Sequence, residues 1–154
     1  MTSFYLVLPF ALILVTFSAA IPFKTQKLAV YNMEGMAQCA LGHNVFQLAD
    51  YGCWCGPGGS GTPIDGVDEC CMHHDKCYDA AVDDGDCQNV AEEYLDPDDW
   101  SCDNHTIVCK ETKDKCKAAL CNCDRNVVMC WSKFPQVTSH KGCKKAKLMD
   151  LVKP

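Results

Sequence analysis

Fourteen of the 154 residues are cysteines, and every one of them lies after residue 38. Cytosolic proteins keep their thiols reduced, so an even and dense set of cysteines is typical of a chain that folds in an oxidising compartment. The sequence therefore predicts seven disulfides, each of which stabilises a fold by roughly 2–4 kcal/mol if it closes without strain. Fourteen cysteines allow many connectivities, and their number alone does not choose among them.

The first twenty residues contain no charged side chain and end in three small residues, 18–20. This pattern is typical of a secretory signal peptide over residues 1–20, and it predicts a secreted, extracellular protein. An uncleaved membrane anchor is the alternative, against which Pro9 and the lack of a basic stop-transfer cluster weigh. Residues 21–28 are then a short propeptide or an extension, and residues 29–154 form a single domain that ends in a lysine-rich tail.

The formal net charge of the chain is −6, and the signal segment carries none of it. Binding to nucleic acid needs a basic surface that neutralises phosphates, so the composition argues against nucleic acid as a partner. Lysines are nevertheless concentrated at the end of the chain, from Lys141 to Lys153. This basic tail is either a solvated surface or a contact for anionic phosphate groups.

The spacing of apolar residues predicts three helices. The first is short and amphipathic and runs from Leu28 to Ala40. The second runs from Val67 to Val82, and either Asp65 or Asp68 caps its start. The third spans Thr112 to Trp131, a segment rich in good helix formers. The predicted fold class is therefore mainly α and disulfide-rich.

A small hairpin is predicted between the second and third helices. Trp100–Cys102 and Ile107–Cys109 are short β-prone stretches on either side of the polar residues 103–106. The turn also contains the N-glycosylation sequon Asn104-His-Thr106, and the tip of a hairpin would expose it.

Two pairs of cysteines share the same spacing in the two long helices. Cys70 and Cys77 are seven residues apart in the second helix, and Cys123 and Cys130 are seven apart in the third. Seven residues make two helical turns, so each pair lies on one face of its helix. Two disulfides could therefore join the helices side by side. If the helices are antiparallel, these bridges join Cys70 to Cys130 and Cys77 to Cys123.

The same antiparallel alignment would place His74 opposite the stretch from Asp124 to Asn126. An imidazole that titrates near neutrality can take a proton from water, and a carboxylate on its far nitrogen fixes the tautomer and stabilises the cation. Asp124 is the best-placed carboxylate for this role. Tyr78 shares the helix face of His74, whereas Asp75 points about a quarter turn away.

Residues 51–63, called the glycine loop below, contain five glycines and two prolines and so predict a loop of specified shape. Glycines let a backbone turn its carbonyl oxygens toward a hard cation, and calcium accepts about six to eight oxygen ligands. The Asp75 carboxylate could complete such a site, with a weak Kd of about 10⁻⁴–10⁻³ M. Taken alone, a glycine-rich loop is more often a plain turn than a metal site.

Three segments together form a highly specific pattern. They are Tyr51-Gly-Cys-Trp-Cys-Gly-Pro-Gly-Gly-Ser-Gly-Thr-Pro63, Asp68-Glu-Cys-Cys-Met-His-His-Asp-Lys-Cys-Tyr78 and Cys121-Asn-Cys-Asp-Arg-Asn126. This pattern closely resembles secreted phospholipase A2 of the pancreatic and elapid-venom type. The resemblance covers nearly all of the chain after the signal peptide. It implies an N-terminal helix, a calcium loop, two long antiparallel disulfide-linked helices and a small two-stranded β-wing.

The resemblance also implies an activity, which is hydrolysis of the sn-2 acyl ester of glycerophospholipids at a membrane or micelle surface. His74 would be the general base, Asp124 its partner and Tyr78 a support for Asp124. One Ca²⁺ per chain would be the cofactor, bound by the Asp75 carboxylate and by three backbone carbonyls, those of Trp54, Gly56 and Gly58. The residues that the resemblance assigns to the acyl slot are Val30, Met33, Ala37, Val127 and Val128.

The disulfide connectivity is likewise implied by the resemblance. The pairs are Cys39 with Cys102, Cys53 with Cys143, Cys55 with Cys71, Cys70 with Cys130, Cys77 with Cys123, Cys87 with Cys116, and Cys109 with Cys121. Two of these pairs agree with the bridges that helical spacing suggests.

The chain departs from the family pattern at two positions. Asp98 occupies a position where a tyrosine is usual, and Asn32 one where a glutamine is usual. The first change concerns the hydrogen bonds around Asp124, and the second concerns the ordering of the N-terminus.

A second hypothesis is that the chain has the same fold but no catalytic activity. On this view the chain is a receptor-binding, toxin-like protein built on a phospholipase scaffold, with a protein receptor as its partner. The usual mark of such a protein is the loss of the calcium carboxylate or of the catalytic histidine. His74, Asp75 and Asp124 are all present, which favours the enzyme.

Overall fold

A computed structural model describes residues 29–89 and 99–143, with side chains from residue 31 onward. Four sequence predictions lie outside the described residues: the signal peptide, the segment 21–28, the departure at Asp98, and the lysine-rich tail beyond residue 143. Within the described ranges no helix is both long enough and apolar enough to cross a lipid bilayer.

The described elements are mainly helical, and the predicted fold class is confirmed. In chain order they are α1 (Ala29–Leu41), a short 3-10 helix (Phe46–Leu48), α2 (Gly66–Asp83), β1 (Trp100–Asp103), β2 (Thr106–Cys109) and α3 (Lys115–Trp131). The three predicted helices and the hairpin are all present, with ends that differ from the prediction by a few residues.

Helix α2 begins at Gly66 because Asp65 caps it. The Asp65 carboxylate accepts hydrogen bonds from the backbone N–H groups of Val67 and Asp68, at 3.1 Å each. These N–H groups have no partner inside the helix, so the cap satisfies two donors that would otherwise be unpaired. Of the two aspartates that the sequence offers, Asp65 is the cap, and Asp68 serves a different purpose.

Helices α2 and α3 run antiparallel and are joined by two disulfides. Cys70 pairs with Cys130 and Cys77 with Cys123, with Cα–Cα distances of 5.8 and 5.7 Å. These are the two bridges that the seven-residue spacing suggests. The remaining disulfides are also the pairs that the resemblance implies, namely Cys39–Cys102, Cys53–Cys143, Cys55–Cys71, Cys87–Cys116 and Cys109–Cys121.

The main core lies where α1, α2, α3 and the 3-10 helix meet. Met36 and Ala37 of α1 and Val127 and Val128 of α3 are almost completely buried there. Burial of apolar surface contributes about 25 cal/mol per Å², so this small core adds to what the disulfides provide. The result is a rigid pair of long helices with α1 packed against them.

The β-wing is a two-stranded antiparallel sheet in which Cys102 lies opposite Ile107. Ile107 is buried in the main core. Disulfides from Cys102 to Cys39 and from Cys109 to Cys121 attach the wing to α1 and α3. A pair of strands this short is marginal by itself, so these cross-links hold it in place.

Candidate active site

His74 and Asp124 meet between the two stapled helices. His74 Nε2 lies 2.7 Å from Asp124 Oδ1, with the histidine side chain 15% exposed and the aspartate side chain 1% exposed. An ionised carboxylate only accepts, so Nε2–H is the donor and Nδ1 carries the lone pair. The contact predicted from the spacing of four cysteines is confirmed.

Tyr78 supports this pair from one turn further along α2. Its hydroxyl donates to Asp124 Oδ1 at 2.8 Å, and its ring lies 4.3 Å from the His74 ring, centroid to centroid. The second oxygen of Asp124, Oδ2, is buried and accepts no hydrogen bond from residues 29–89 or 99–143. Asp98, where the resemblance leads us to expect a tyrosine, lies outside the described residues.

The glycine loop follows a path that only small residues permit. Gly56 has a φ of +147°, a conformation that other residues rarely adopt. At Gly52, with a φ of +67°, a Cβ atom would collide with the carboxylate of Asp68. The loop backbone thus passes directly over Asp68, at the start of α2.

Asp68 holds the glycine loop against α2, a role that the sequence analysis missed. Its carboxylate is fully buried and accepts hydrogen bonds from the backbone N–H groups of Cys53, Trp54 and Ile64, at 2.8, 2.8 and 2.9 Å. Hydrogen bonds to a charged acceptor are about twice as strong as neutral ones. One feature of the sequence could have indicated this role: Asp68 lies two helical turns before Asp75 and so shares its face of α2.

Asp75 lies under the far part of the same loop. Its carboxylate is partly buried and accepts a hydrogen bond from the Gly59 N–H at 3.3 Å. Burial raises the pKa of Asp75 above its ordinary value, although the Gly59 N–H and His74 oppose that change. A desolvated carboxylate with few donors around it has unused capacity to bind a cation.

The residues around Asp75 fit a calcium ion. Among the hydrogen bonds of residues 29–89 and 99–143, none uses the carbonyl oxygens of Trp54, Gly56 or Gly58. The same part of the chain holds no cluster of three or more metal-binding side chains, so a metal here would depend on backbone oxygens. A set of carbonyl oxygens with one carboxylate suits calcium, which prefers oxygen ligands.

A cavity of about 360 Å³ opens onto these groups. His74, Asp75 and Asp124 lie on its wall, together with Trp54 and Gly56 of the glycine loop. The rest of the wall is largely apolar, and its residues include Met33, Val45, Phe46, Leu48, Ala49, Pro57 and Trp131. An apolar cavity with a few polar groups on its wall is the usual form of a site for a small-molecule ligand.

The predicted acyl-slot residues are only partly on this wall. Met33 lines the cavity, whereas Ala37, Val127 and Val128 are buried in the core outside its wall. The side chain of Val30 lies outside the described residues. The wall includes instead Val45, Phe46, Leu48 and Ala49, in and around the 3-10 helix, a segment too short for periodicity to reveal.

The fold and the site define the class: a small, disulfide-rich hydrolase with a histidine–aspartate pair beside a loop of free carbonyl oxygens. The family model described as phospholipase A2 matches residues 30–143. A phospholipase A2 of Bos taurus is 38% identical over 120 residues, which cover 76% of this chain and 83% of the bovine one. A phospholipase A2 of Ovis aries is also 38% identical over 120 residues, covering 76% of this chain and 98% of the ovine one.

A venom protein of Oxyuranus scutellatus scutellatus, named acidic phospholipase A2 homolog taipoxin gamma chain, is 43% identical over 105 residues. The match covers 66% of this chain and 69% of the venom chain. This chain belongs to the phospholipase A2 family, and it is an enzyme of that family.

Proposed function

We propose that this protein hydrolyses the sn-2 acyl ester of glycerophospholipids in a calcium-dependent reaction and releases a lysophospholipid and a free fatty acid. The observation that carries the proposal is the contact of 2.7 Å between His74 Nε2 and Asp124 Oδ1 at the wall of an apolar cavity. The contact joins a base to the group that orients it, next to space for an acyl chain.

His74 acts as the general base in this mechanism. With its proton on Nε2, the imidazole can accept a proton from a water molecule at Nδ1. Asp124 stabilises the resulting imidazolium, and Tyr78 keeps the Asp124 carboxylate in position. Water is the nucleophile, so the chain forms no covalent bond to the acyl group, and His74 later returns the proton to the leaving alkoxide.

Asp75 and the carbonyl oxygens of Trp54, Gly56 and Gly58 are the residues that would hold calcium. A bound calcium ion supplies positive charge that stabilises the oxyanion formed from the ester carbonyl. The Gly56 N–H would donate to the same oxygen. Asp68 contributes indirectly, because it fixes the backbone of Trp54.

The proposed partner is the surface of a phospholipid membrane or micelle. Phe46 is 55% exposed although it belongs to the cavity wall, so an apolar side chain lies at the mouth of the acyl site. Such a residue can contact the lipid while one acyl chain enters the cavity. Secretion, with residues 1–20 as the signal peptide and residues 29–154 as one domain, brings the enzyme to extracellular lipid.

The test is release of fatty acid from mixed phosphatidylcholine and phosphatidylglycerol vesicles, with calcium or with EDTA. The wild type should release the sn-2 fatty acid only with calcium, and His74→Gln should be inactive in both conditions. Equal release by wild type and His74→Gln would contradict the role of His74. Release that persists in EDTA would contradict the role of calcium.

A receptor-binding role without catalysis is the second candidate, and the taipoxin relative whose name contains the word homolog is the observation that favours it. This chain nevertheless retains His74, Asp75 and Asp124 in contact with one cavity. If the folded, oxidised wild type released no fatty acid from any vesicle, the enzymatic mechanism would fail and a protein receptor would become the better hypothesis.

A further inference from the structure

The tip of the β-wing carries the chain's one N-glycosylation sequon, and nothing in the catalytic mechanism uses it. Asn104 and His105 form the turn between β1 and β2, with φ values of +46° and +63°. Two consecutive residues at positive φ make a tight turn of the type that joins antiparallel strands in a hairpin. The sequon is therefore fixed at the end of the wing.

The two faces of the wing differ in what they contact. Ile107 points into the core and is 4% exposed. Its neighbours Thr106 and Val108 point to the other side and are exposed, and Val108 is 41% exposed although it is apolar. Because side chains alternate along a strand, Thr106 lies on the solvent face of the wing. Asn104 at the tip is exposed as well.

The side chains that a glycosylating enzyme must reach are free. Within residues 29–89 and 99–143, no hydrogen bond or ion pair uses the Asn104 amide or the Thr106 hydroxyl. His105, the middle residue of the sequon, does make a hydrogen bond: its Nδ1–H donates to the carbonyl oxygen of Cys39 at 3.0 Å. This hydrogen bond anchors the turn to the end of α1 and leaves the two flanking side chains directed to solvent.

The turn alone accounts for only half of the motif. Asparagine is favoured at positive φ, so the hairpin itself explains Asn104. It does not explain Thr106, whose hydroxyl makes no hydrogen bond in the part of the chain that the structure describes and which lies where other strand-forming residues would also serve. The seven disulfides place the chain in the oxidising secretory compartment, where such sequons are modified.

We propose that Asn104 carries an N-linked oligosaccharide on the solvent face of the β-wing. A bond forms between Asn104 Nδ2 and the anomeric carbon of the first sugar. The bond from that carbon to the pyrophosphate of a lipid-linked oligosaccharide donor breaks, the lipid pyrophosphate leaves, and the amide gives up one proton. The glycan covers the exposed Val108 and the free strand edges, which are surfaces on which strands of other chains can pair.

The glycan lies apart from the chemistry, because no residue of the wing, from Trp100 to Cys109, lines the catalytic cavity. Glycosylation at Asn104 should therefore leave hydrolysis unchanged. This proposal does not depend on the catalytic mechanism, so the two can fail separately.

The test uses the full chain secreted from animal cells. Its intact mass is measured before and after peptide N-glycosidase F, and the peptide that contains residue 104 is sequenced. The expected result is one oligosaccharide, whose removal leaves aspartate at position 104. A secreted protein with unmodified Asn104 would overturn the proposal.

Three variants separate glycosylation from the turn. Asn104→Gly keeps a residue that tolerates positive φ and removes the acceptor, so it should fold and lose the glycan. Thr106→Ala should lose it while Asn104 is intact, and Thr106→Ser should retain it. A glycan that persists in Thr106→Ala would contradict the assignment. Activity that changes when the glycan is removed would instead contradict the separation of the glycan from the catalytic cavity.

Discussion

The two halves of the active site are held in place by different means. His74 and Asp124 belong to two helices that are cross-linked on both sides of the pair, by Cys70–Cys130 and Cys77–Cys123. The glycine loop is attached at one edge by disulfides but is shaped by hydrogen bonds to buried carboxylates. The pair should therefore tolerate changes in the loop, whereas the loop depends on a few polar contacts.

Besides the Cys55–Cys71 disulfide and the hydrogen bonds to Asp68, two weaker contacts join the loop to α2. The Gly59 N–H donates to Asp75, and the ammonium group of Lys76 lies 5.8 Å from the centre of the Trp54 indole. Each contact is individually modest, since a cation–π contact at an exposed site contributes about 0.5–1 kcal/mol. Their sum orders a segment that has no regular secondary structure of its own.

The largest expected effect is on the helix-borne half. Asp124→Asn should lower kcat roughly 10²–10⁴-fold, because the amide neither stabilises the imidazolium nor fixes the tautomer of His74. Calcium affinity should stay near the wild-type value, since the hydrogen bonds of Asp124 within the described residues go to His74 and Tyr78 and not to the glycine loop. Calorimetric titration with calcium, run beside the vesicle assay, separates the two quantities. A large loss of calcium affinity in this variant would show that the halves are coupled.

The disulfides beside the catalytic pair are expected to have the next largest effect. Replacing Cys77 and Cys123 together by alanine should reduce the free energy of unfolding by roughly 2–4 kcal/mol and also lower activity. Cys123 precedes Asp124 directly, so its bridge positions the carboxylate. Guanidinium denaturation and the vesicle assay measure the two effects.

Replacing Cys87 and Cys116 by alanine is the matched control for that bridge, because this disulfide joins the far end of the helix pair. The control should lose stability and keep most of its activity per folded molecule. Equal losses of activity in the two double variants would contradict the claim that the Cys77–Cys123 disulfide positions Asp124.

The loop-borne half is tested at Asp68. Asparagine offers one acceptor oxygen and an NH₂ group that would face N–H donors, so Asp68→Asn should raise the Kd for calcium roughly ten- to hundredfold. At saturating calcium, kcat should return to near the wild-type value, because His74 and Asp124 are unaffected. Asp83→Asn, an exposed change on the same helix, is the control. If folded Asp68→Asn lost kcat and calcium did not restore it, the glycine loop and the His74–Asp124 pair would not be independent of each other.

The smallest expected effect is a pH dependence of stability at the contact between Tyr51, which begins the glycine loop, and Asp65, which caps α2. Burial raises the pKa of Asp65, but the hydrogen bond from Tyr51, the backbone donors and Lys141 outweigh it, so the net pKa is lowered. A lowered folded pKa gives stability that is present above the unfolded value of about 3.9 and is lost as the pH falls through the folded value. Tyr51 carries the matching change, since burial and Asp65 raise its pKa to about 12.

Asp65→Asn keeps the helix cap, because asparagine also caps helices, but removes the charge and replaces the oxygen that accepts from Tyr51 by an NH₂ group. Below about pH 4 the Tm of wild type should fall more steeply than that of the variant. Thermal unfolding followed by circular dichroism across acidic pH measures this difference. Parallel curves would mean that Asp65 does not contribute to acid sensitivity.

The sequence by itself predicted the helix pair and the contact between His74 and Asp124. An α-helix has a fixed rise and rotation per residue, so cysteines seven residues apart must share a face. Combined with an antiparallel arrangement of the two helices, that local rule aligned α2 with α3 and placed His74 opposite the stretch from Asp124 to Asn126. The motifs that resemble phospholipase A2 added the remaining disulfide pairs, which spacing alone left open.

The tertiary structure alone decided how the glycine loop and the acyl site are built. Asp68 is one acidic residue among many in the sequence, and its role depends on the path that brings the N–H groups of Cys53, Trp54 and Ile64 to it. The cavity wall includes Val45, Phe46, Leu48 and Ala49, whereas Ala37, Val127 and Val128 are buried outside it. Helical periodicity predicts which side chains share a face, but the packing of irregular segments follows no repeat, so only the folded chain reveals it.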